Sequence, residues 1–188
     1  MPEIPIRIVQ NARAIAAAAL RLPTQHPILL IDGPSGAGKS STADAVVAFW
    51  PGEPPVLVRM DDIYPGWGGL ARAGEHVEQH LLGPLSRGVR GHWQRYDWHA
   101  GHLAEWHEVG PDRALLIEGC GVLTRGNAPL SHLNVWLDGE PHTRKRRALE
   151  RDRGGFDDHW DEWSEQVDEF IAKHDPVASA DLVLWSDR

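Results

Sequence analysis

Only one cysteine, Cys120, occurs in the 188 residues. A single thiol excludes an internal disulfide framework and leaves no zinc finger. No apolar run reaches the length that a bilayer requires, and the first residues lack the charged, apolar and small-residue order of a signal peptide. The expected location is therefore the cytoplasm, with no membrane partner. Basic patches are equally scarce. With 19 Lys and Arg against 27 Asp and Glu the net charge is −8, which repels phosphate backbones at long range, so no nucleic-acid partner is expected. The one basic cluster, Arg144-Lys145-Arg146-Arg147, lies in a helix-like segment that also carries acids. Linkers, internal repeats and low-complexity tails are missing too, and the length fits one domain over 1–188. Tyrosine and phenylalanine are few, at 2 and 3, yet tryptophan occurs 9 times. Large rings used that often call for a packing role or a ring-stacking ligand.

What is present is a repeated pattern. Four apolar runs each end in an acid: Ile28 to Asp32, Val56 to Asp61, Ala114 to Glu118, and Asn134 to Asp138. A fifth, Asp181 to Trp185, closes the chain. Continuous apolar strands without alternation suit a parallel sheet buried on both faces. Helical patterns separate them, over Lys39 to Trp50, about 75–87, about 142–151 and about 157–173, and a short amphipathic helix is expected over Ala12 to Leu22. Alternating strands and helices predict an α/β doubly wound fold, whose ligands gather at the carboxyl ends of the strands. All four acids fall there. Asp32 and Asp138 also have simpler readings, as a loop-shaping acid and a helix-orienting acid. The stretch over about 88–111, crowded with His and Trp, breaks the alternation and reads as an inserted loop or hairpin.

Gly33-Pro34-Ser35-Gly36-Ala37-Gly38-Lys39-Ser40 fits the pattern G-x-x-x-x-G-K-S/T without deviation. Glycines let the backbone curl its N–H groups around a β-phosphate, and the helix that starts at once beneath, with Ser41 in its first turn, adds its positive end. Lys39 then neutralises the β- and γ-phosphates, and the Ser40 hydroxyl reaches magnesium. The motif predicts ATP and Mg2+ as cofactors. No Asn-Lys-x-Asp guanine reader and no Leu-Ser-Gly-Gly signature occurs, so switch GTPases and transporter ATPases are disfavoured and a small-molecule kinase leads.

The ordered set of Gly33 to Ser40, Asp61-Asp62-Ile63-Tyr64, Tyr96-Asp97-Trp98, Glu118-Gly119 and Thr143-Arg144 through Arg147 to Arg151-Asp152 resembles the uridine kinase branch of the P-loop kinases, alongside phosphoribulokinase and pantothenate kinase. The resemblance spans roughly 27–153. It implies a three-layer P-loop NTPase sandwich with a mostly parallel five-stranded sheet, a helical lid over about 142–156 and an acceptor-side insertion. It also implies transfer of the γ-phosphate of ATP to a hydroxyl of a small-molecule acceptor, with a nucleoside as the family's example. In that pattern Asp61 lies between magnesium and the reacting hydroxyl, and Glu118 helps hold the metal. Successive strand side chains point to opposite faces, so one of Asp61 and Asp62 is expected to be catalytic and the other structural. Arg144, Arg147 and Arg151 share one helix face, the spacing a lid needs to present guanidinium groups to phosphates. A solvated face paired with Glu150 and Asp152 is the alternative.

The match frays after the lid, where Arg153-Gly154-Gly155 leads into an acidic stretch, and in the insertion, where His99 and His102 both miss the family's offset. Tyr64, Trp67, Arg95, Tyr96, Trp98 and His102 are expected to border the acceptor. Trp160 and Trp163, three apart on a helix, are expected in the core, and Cys120 as a buried small residue. A nucleotide-hydrolysing switch or metal-delivery protein, with the His-rich loop for cargo, is the rival from another class. A regulator that only binds nucleotide is a second rival.

Overall fold

The computed structural model describes residues 5–152 and 154–187, with the side chain of Asp152 also outside the description. Five parallel strands form the centre: β1 (Ile28–Asp32), β2 (Val56–Arg59), β5 (Leu115–Glu118), β6 (Leu133–Asp138) and β7 (Leu182–Trp185). Their order across the sheet is β2-β5-β1-β6-β7. The three inner strands are buried almost throughout, as their unbroken apolar runs require, whereas the edge strands β2 and β7 stay partly open.

Alternation along β1 divides the core. Leu29 and Ile31 face Ala12 and Ile15 of α1 (Ile6–Ala19) and Ala43 and Val46 of α2 (Lys39–Ala48). Ile28 and Leu30 face the opposite layer, which contains Val77, Leu81, Trp163, Val167 and Phe170. That layer is built from α3 (Leu70–His76), α4 (Gly83–Ser86) and α6 (Trp160–His174). The expected α/β three-layer sandwich with a mostly parallel five-stranded sheet is what the chain forms.

The insertion is a hairpin of β3 (Gly91–Asp97) and β4 (His102–Val109). Its turn is set by Asp97, whose carboxylate accepts the backbone N–H groups of His99 and Ala100 at 3.0 and 2.9 Å. The segment expected to act as a lid forms the helix α5 (Pro141–Asp152). Among the described residues no helix is long and apolar enough to cross a membrane.

Several boundaries differ from those expected. The helix predicted over about 75–87 begins at Leu70 and widens to a π-helical turn over Val77–Leu82 before α4. Pro84 is the physical reason, since proline crowds the carbonyl one turn earlier and supplies no N–H. The first helix runs over Ile6–Ala19 instead of Ala12 to Leu22, held to the far edge strand by the Asn11 amide, which donates to the Trp185 carbonyl at 3.0 Å. Strand β2 stops at Arg59, and Met60–Asp62 form a 3-10 turn. The two acids are therefore separated by the roughly 120° step of that turn and not by strand alternation.

Candidate active site

The phosphate loop links β1 to α2. Positive φ values at Gly33, Gly36 and Gly38, at 149°, 77° and 88°, curl it, and Lys39 opens the helix beneath. Asp32 anchors its root: the buried carboxylate accepts N–H groups of Gly33, Gly121 and Leu123 at 2.6, 3.0 and 2.7 Å. Burial pushes this carboxyl up to about 6, against the pull of those donors and of Lys39. Asp32 is thus a loop-shaping acid that ties the phosphate loop to the segment after β5.

Parallel pairing of β1 with β5 sets Ile31 opposite Glu118 and brings that segment against the loop. The Lys39 ammonium donates to the Pro34 carbonyl at 3.0 Å and lies 3.4 Å from the Cys120 sulfur. Burial opposes its charge, but Cys120, Glu118, Asp32 and Asp61 outweigh burial and push the ammonium up. Cys120 donates in turn to the Gly33 carbonyl at 3.2 Å. It is buried and small, as expected, and its contact with Lys39 could not be read from neighbours in sequence.

Glu118 is 3% exposed. Burial raises its carboxyl, and so does Asp61, while Lys39, the Ser40 hydroxyl and Arg59 pull the other way. Arg59 is the residue that sequence reasoning missed. One of its Nη atoms donates to Glu118 at 2.8 Å and the other to Asp44 of α2 at 2.6 Å. The β2–β5 register puts Arg59 directly beside Glu118. A basic residue closing an apolar run was the available signal.

Asp61 is exposed at the rim, close enough to Lys39 and Glu118 to act on the charge of both. Asp62 is half-buried on the hairpin side, where burial and Asp61 raise it and Arg59, Arg95 and His107 lower it. Tyr64 does not line an open pocket. It is 2% exposed, its hydroxyl donates to the Cys120 carbonyl at 2.8 Å, and its ring packs edge-on against Trp163. This is a correction, with a physical reason: the 3-10 turn rolls Ile63 and Tyr64 inward.

Trp67 is half-buried among aromatic rings: His159 and Phe156 stacked at 4.4 and 5.2 Å, Trp98 tilted at 5.0 Å and Trp163 edge-on at 6.2 Å. Trp98 donates its indole N–H to the Asp61 carbonyl at 2.7 Å, which pins the hairpin to the acidic turn, and Tyr96 packs edge-on against it at 5.4 Å. Arg95 is tied to Glu105 at 2.7 and 3.1 Å and approaches Asp97 at 3.5 Å, so its guanidinium braces the hairpin. His102 stands exposed at the hairpin turn, its Nδ1 2.9 Å from the Leu103 carbonyl. His107 stacks on Trp93 at 4.3 Å. The histidines are dispersed over the hairpin, and no group of three or more His, Cys, Asp or Glu side chains among the described residues could hold a metal ion.

In α5, Arg144 donates to the Gly139 carbonyl at 3.0 Å and lies 3.3 Å from Asp138, and its own carbonyl abuts Gly36 of the phosphate loop. Arg147 donates to the Ser186 hydroxyl at 3.1 Å, beside Gly38. Arg151 is exposed further along the same face. The helix α5 thus leans on the loop, with Arg144 and Arg147 bonded to the ends of β6 and β7. Arg153 lies outside the described residues. Trp163 is in the core, as expected, but its indole N–H also donates to the Ser35 hydroxyl at 3.1 Å, joining α6 to the phosphate loop. Two cavities, of about 390 and 590 Å³, flank α6.

Solved structures share the fold. One, described as a candidate uridine kinase from Bacillus stearothermophilus, superposes with a TM-score of 0.66 at 17% identity, over 93% of this chain and 97% of that one. The fold is a P-loop α/β sandwich, shared with this structure. A second, described as a candidate fructose transport system kinase from a Silicibacter species, gives 0.51 at 16% identity, over 94% and 98%. No protein-family model and no curated protein sequence matches the chain. The sequence resemblance and the structural one therefore converge on the same fold through different evidence: five short motifs in one case, and the path of nearly the whole chain in the other.

Proposed function

We propose that the chain is an ATP-dependent phosphotransferase that moves the γ-phosphate to a hydroxyl of a small molecule, with a nucleoside such as uridine as the first acceptor to try. One observation carries this reading: Asp61 stands at the carboxyl end of β2 within electrostatic reach of both Lys39 and Glu118, so a carboxylate that can take a hydroxyl proton adjoins a phosphate cradle. The names of the two structural neighbours support a kinase and leave the acceptor open.

The roles follow from charge and position. Backbone N–H groups over Gly33 to Ser40 hold the phosphates, Ser41 and Ala37 shape the first turn beneath them, and Lys39 leaves the Pro34 carbonyl to neutralise the transferred group. Asp61 orients the acceptor hydroxyl and accepts its proton. Arg147 and Arg151, on the lid face, supply further positive charge when α5 closes. Arg144 holds the lid against the loop. Loose phosphoryl-transfer transition states need positioning and charge neutralisation above all, which this set provides.

The donors also fit magnesium. Ser40, in the first turn of α2, favours the charged form of Glu118, Asp61 is nearby, and Mg2+ keeps several waters and takes few protein oxygens. When bound, the ion neutralises charge between the phosphates.

A coupled ADP-release assay over nucleosides, sugars and vitamin precursors tests the proposal. One acceptor should stimulate release, and Asp61→Asn should lower that stimulated rate by on the order of a hundredfold or more while ATP binding changes little. Acceptor-independent turnover that Asp61→Asn leaves intact would instead favour the hydrolytic switch.

A further inference from the structure

Asp62, first assigned a structural role, has none of the contacts such a role requires. No hydrogen bond or ion pair from a described residue reaches its carboxylate, although the group is half-buried. The other acids around the site are spent. Asp32 holds three backbone N–H groups, Glu118 holds Arg59, Asp97 holds the hairpin turn, and Glu105 holds Arg95. The three basic groups that act on Asp62 are themselves engaged, Arg59 by Asp44 and Glu118, Arg95 by Glu105, and His107 by Glu105 at 3.4 Å.

The local geometry aims the two acids differently. Within the 3-10 turn of Met60–Asp62 consecutive side chains diverge by roughly 120°, so when one faces the phosphate loop its neighbour faces aside. Asp61 acts on Lys39 and Glu118, whereas Asp62 feels Asp61 and Arg59 beside it and, from the hairpin, Arg95 and His107. The same hairpin is fixed to this turn by the Trp98 indole on the Asp61 carbonyl at 2.7 Å, with Tyr96 beside Trp98. A partly dehydrated carboxylate with open lone pairs gains most from neutral O–H donors, and flat rings alongside suit the apolar face of a sugar. Two adjacent negative groups also disfavour an acceptor that already carries phosphate or carboxylate.

We propose that Asp62 is a specificity-determining residue: its carboxylate accepts a second hydroxyl of a neutral acceptor with adjacent hydroxyls, while Asp61 addresses the hydroxyl that is phosphorylated. This rests on the phosphotransferase reading above and narrows it to polyols, meaning a furanose or a nucleoside.

The test is equilibrium binding by tryptophan fluorescence in the presence of ADP, with uridine, 2′-deoxyuridine, 3′-deoxyuridine and D-ribose as probes, followed by the coupled assay. The variant is Asp62→Asn, which keeps the shape of the side chain. The expected result is that uridine or ribose binds the parent protein and that Asp62→Asn weakens this on the order of tenfold or more, the scale of one hydrogen bond to a charged group. Removing the matching hydroxyl from the probe should cost the parent a similar factor and cost the variant nothing further, with ADP affinity unmoved. In turnover the loss should fall on KM more than on kcat. Three results overturn the proposal: no probe binds the parent, the variant binds every probe as the parent does, or the loss falls on kcat at constant KM. Binding that depends on Asp62 but is never followed by acceptor-stimulated ADP release would sink the phosphotransferase reading alone and leave the assignment of Asp62 standing.

Discussion

Replacing Arg59 by glutamine isolates the energetics of the acid at the end of β5. In the parent protein Glu118 is 3% exposed and Arg59, with a side chain 31% exposed, donates to it at 2.8 Å. The substitution removes that charge partner and the second contact to Asp44 at 2.6 Å. Leaving one member of a fully buried pair alone costs about 3–5 kcal/mol. Here two features reduce the figure: Arg59 is about a third open to water, and Lys39 still favours the Glu118 charge. A loss of about 2 kcal/mol remains, equivalent to a fall in Tm of about 4–8 °C for a domain of this size. Urea unfolding at pH 7.5 without nucleotide measures it. Adding Glu118→Gln to the Arg59→Gln background removes the stranded charge and should recover about half the loss, roughly 1 kcal/mol. The sign with pH is also fixed. Burial already raises the Glu118 carboxyl, and losing Arg59 raises it further, so the folded variant takes up a proton more readily than its unfolded chain. Its stability deficit should therefore be largest at neutral pH and shrink as pH falls towards 5. A loss below about 0.5 kcal/mol, no rescue in the double variant, or a deficit that grows on acidification would refute the reasoning.

Two further expectations concern the phosphate loop. Asp32 titrates at about 6 in the folded chain against 3.8 ordinarily, so the stability linked to its proton is fully present below about 4 and is lost as pH rises through about 6. The gap in unfolding free energy between the parent and Asp32→Asn should then widen by roughly 1 kcal/mol between pH 7 and pH 5, and a gap that narrows would contradict the burial account. Gly36 and Gly52 both have φ near +80°, but a side chain on Gly36 meets the Arg144 carbonyl while one on Gly52 meets open space. Both alanine variants should lose about 1 kcal/mol through the torsion alone, and only Gly36→Ala should lose more and also bind ADP more weakly, as read by Tm and fluorescence titration.

The phosphate-loop motif was legible in the sequence because it is written contiguously. Gly33 to Ser40 carries its own glycines, cation and hydroxyl within eight positions, and the strand and helix that confirm it adjoin it. The strands ending in acids were legible for a similar reason, since burial on both faces imposes apolar runs on each strand separately. The sheet order was not, and it decides who meets whom. Because β5 lies between β2 and β1, Arg59 finds Glu118 59 positions away, and Lys39 finds Cys120 81 positions away. Trp163 reaches Ser35 across 128 positions. A helical stripe at Trp160 and Trp163 predicted burial and could not predict a hydrogen bond to the phosphate loop.

The acidic turn shows where local reasoning separates two side chains through the wrong cause. Alternation on a strand separated Asp61 from Asp62, yet the strand ends at Arg59 and a tighter turn separates them. The difference matters physically. A strand would have sent the second acid into the opposite face of the sheet, where a carboxylate needs a buried partner. The turn keeps it on the same rim, half-buried under the hairpin and short of hydrogen-bond donors. The same turn sends Tyr64 inward onto the Cys120 carbonyl and brings Trp67 against Trp98, Phe156 and Trp163 from three distant segments. The rim beside the phosphate loop is therefore assembled from long-range aromatic contacts around a local pair of acids. On the proposed reading, an acceptor would satisfy that pair with its own hydroxyls, which is what the Asp62→Asn binding test measures.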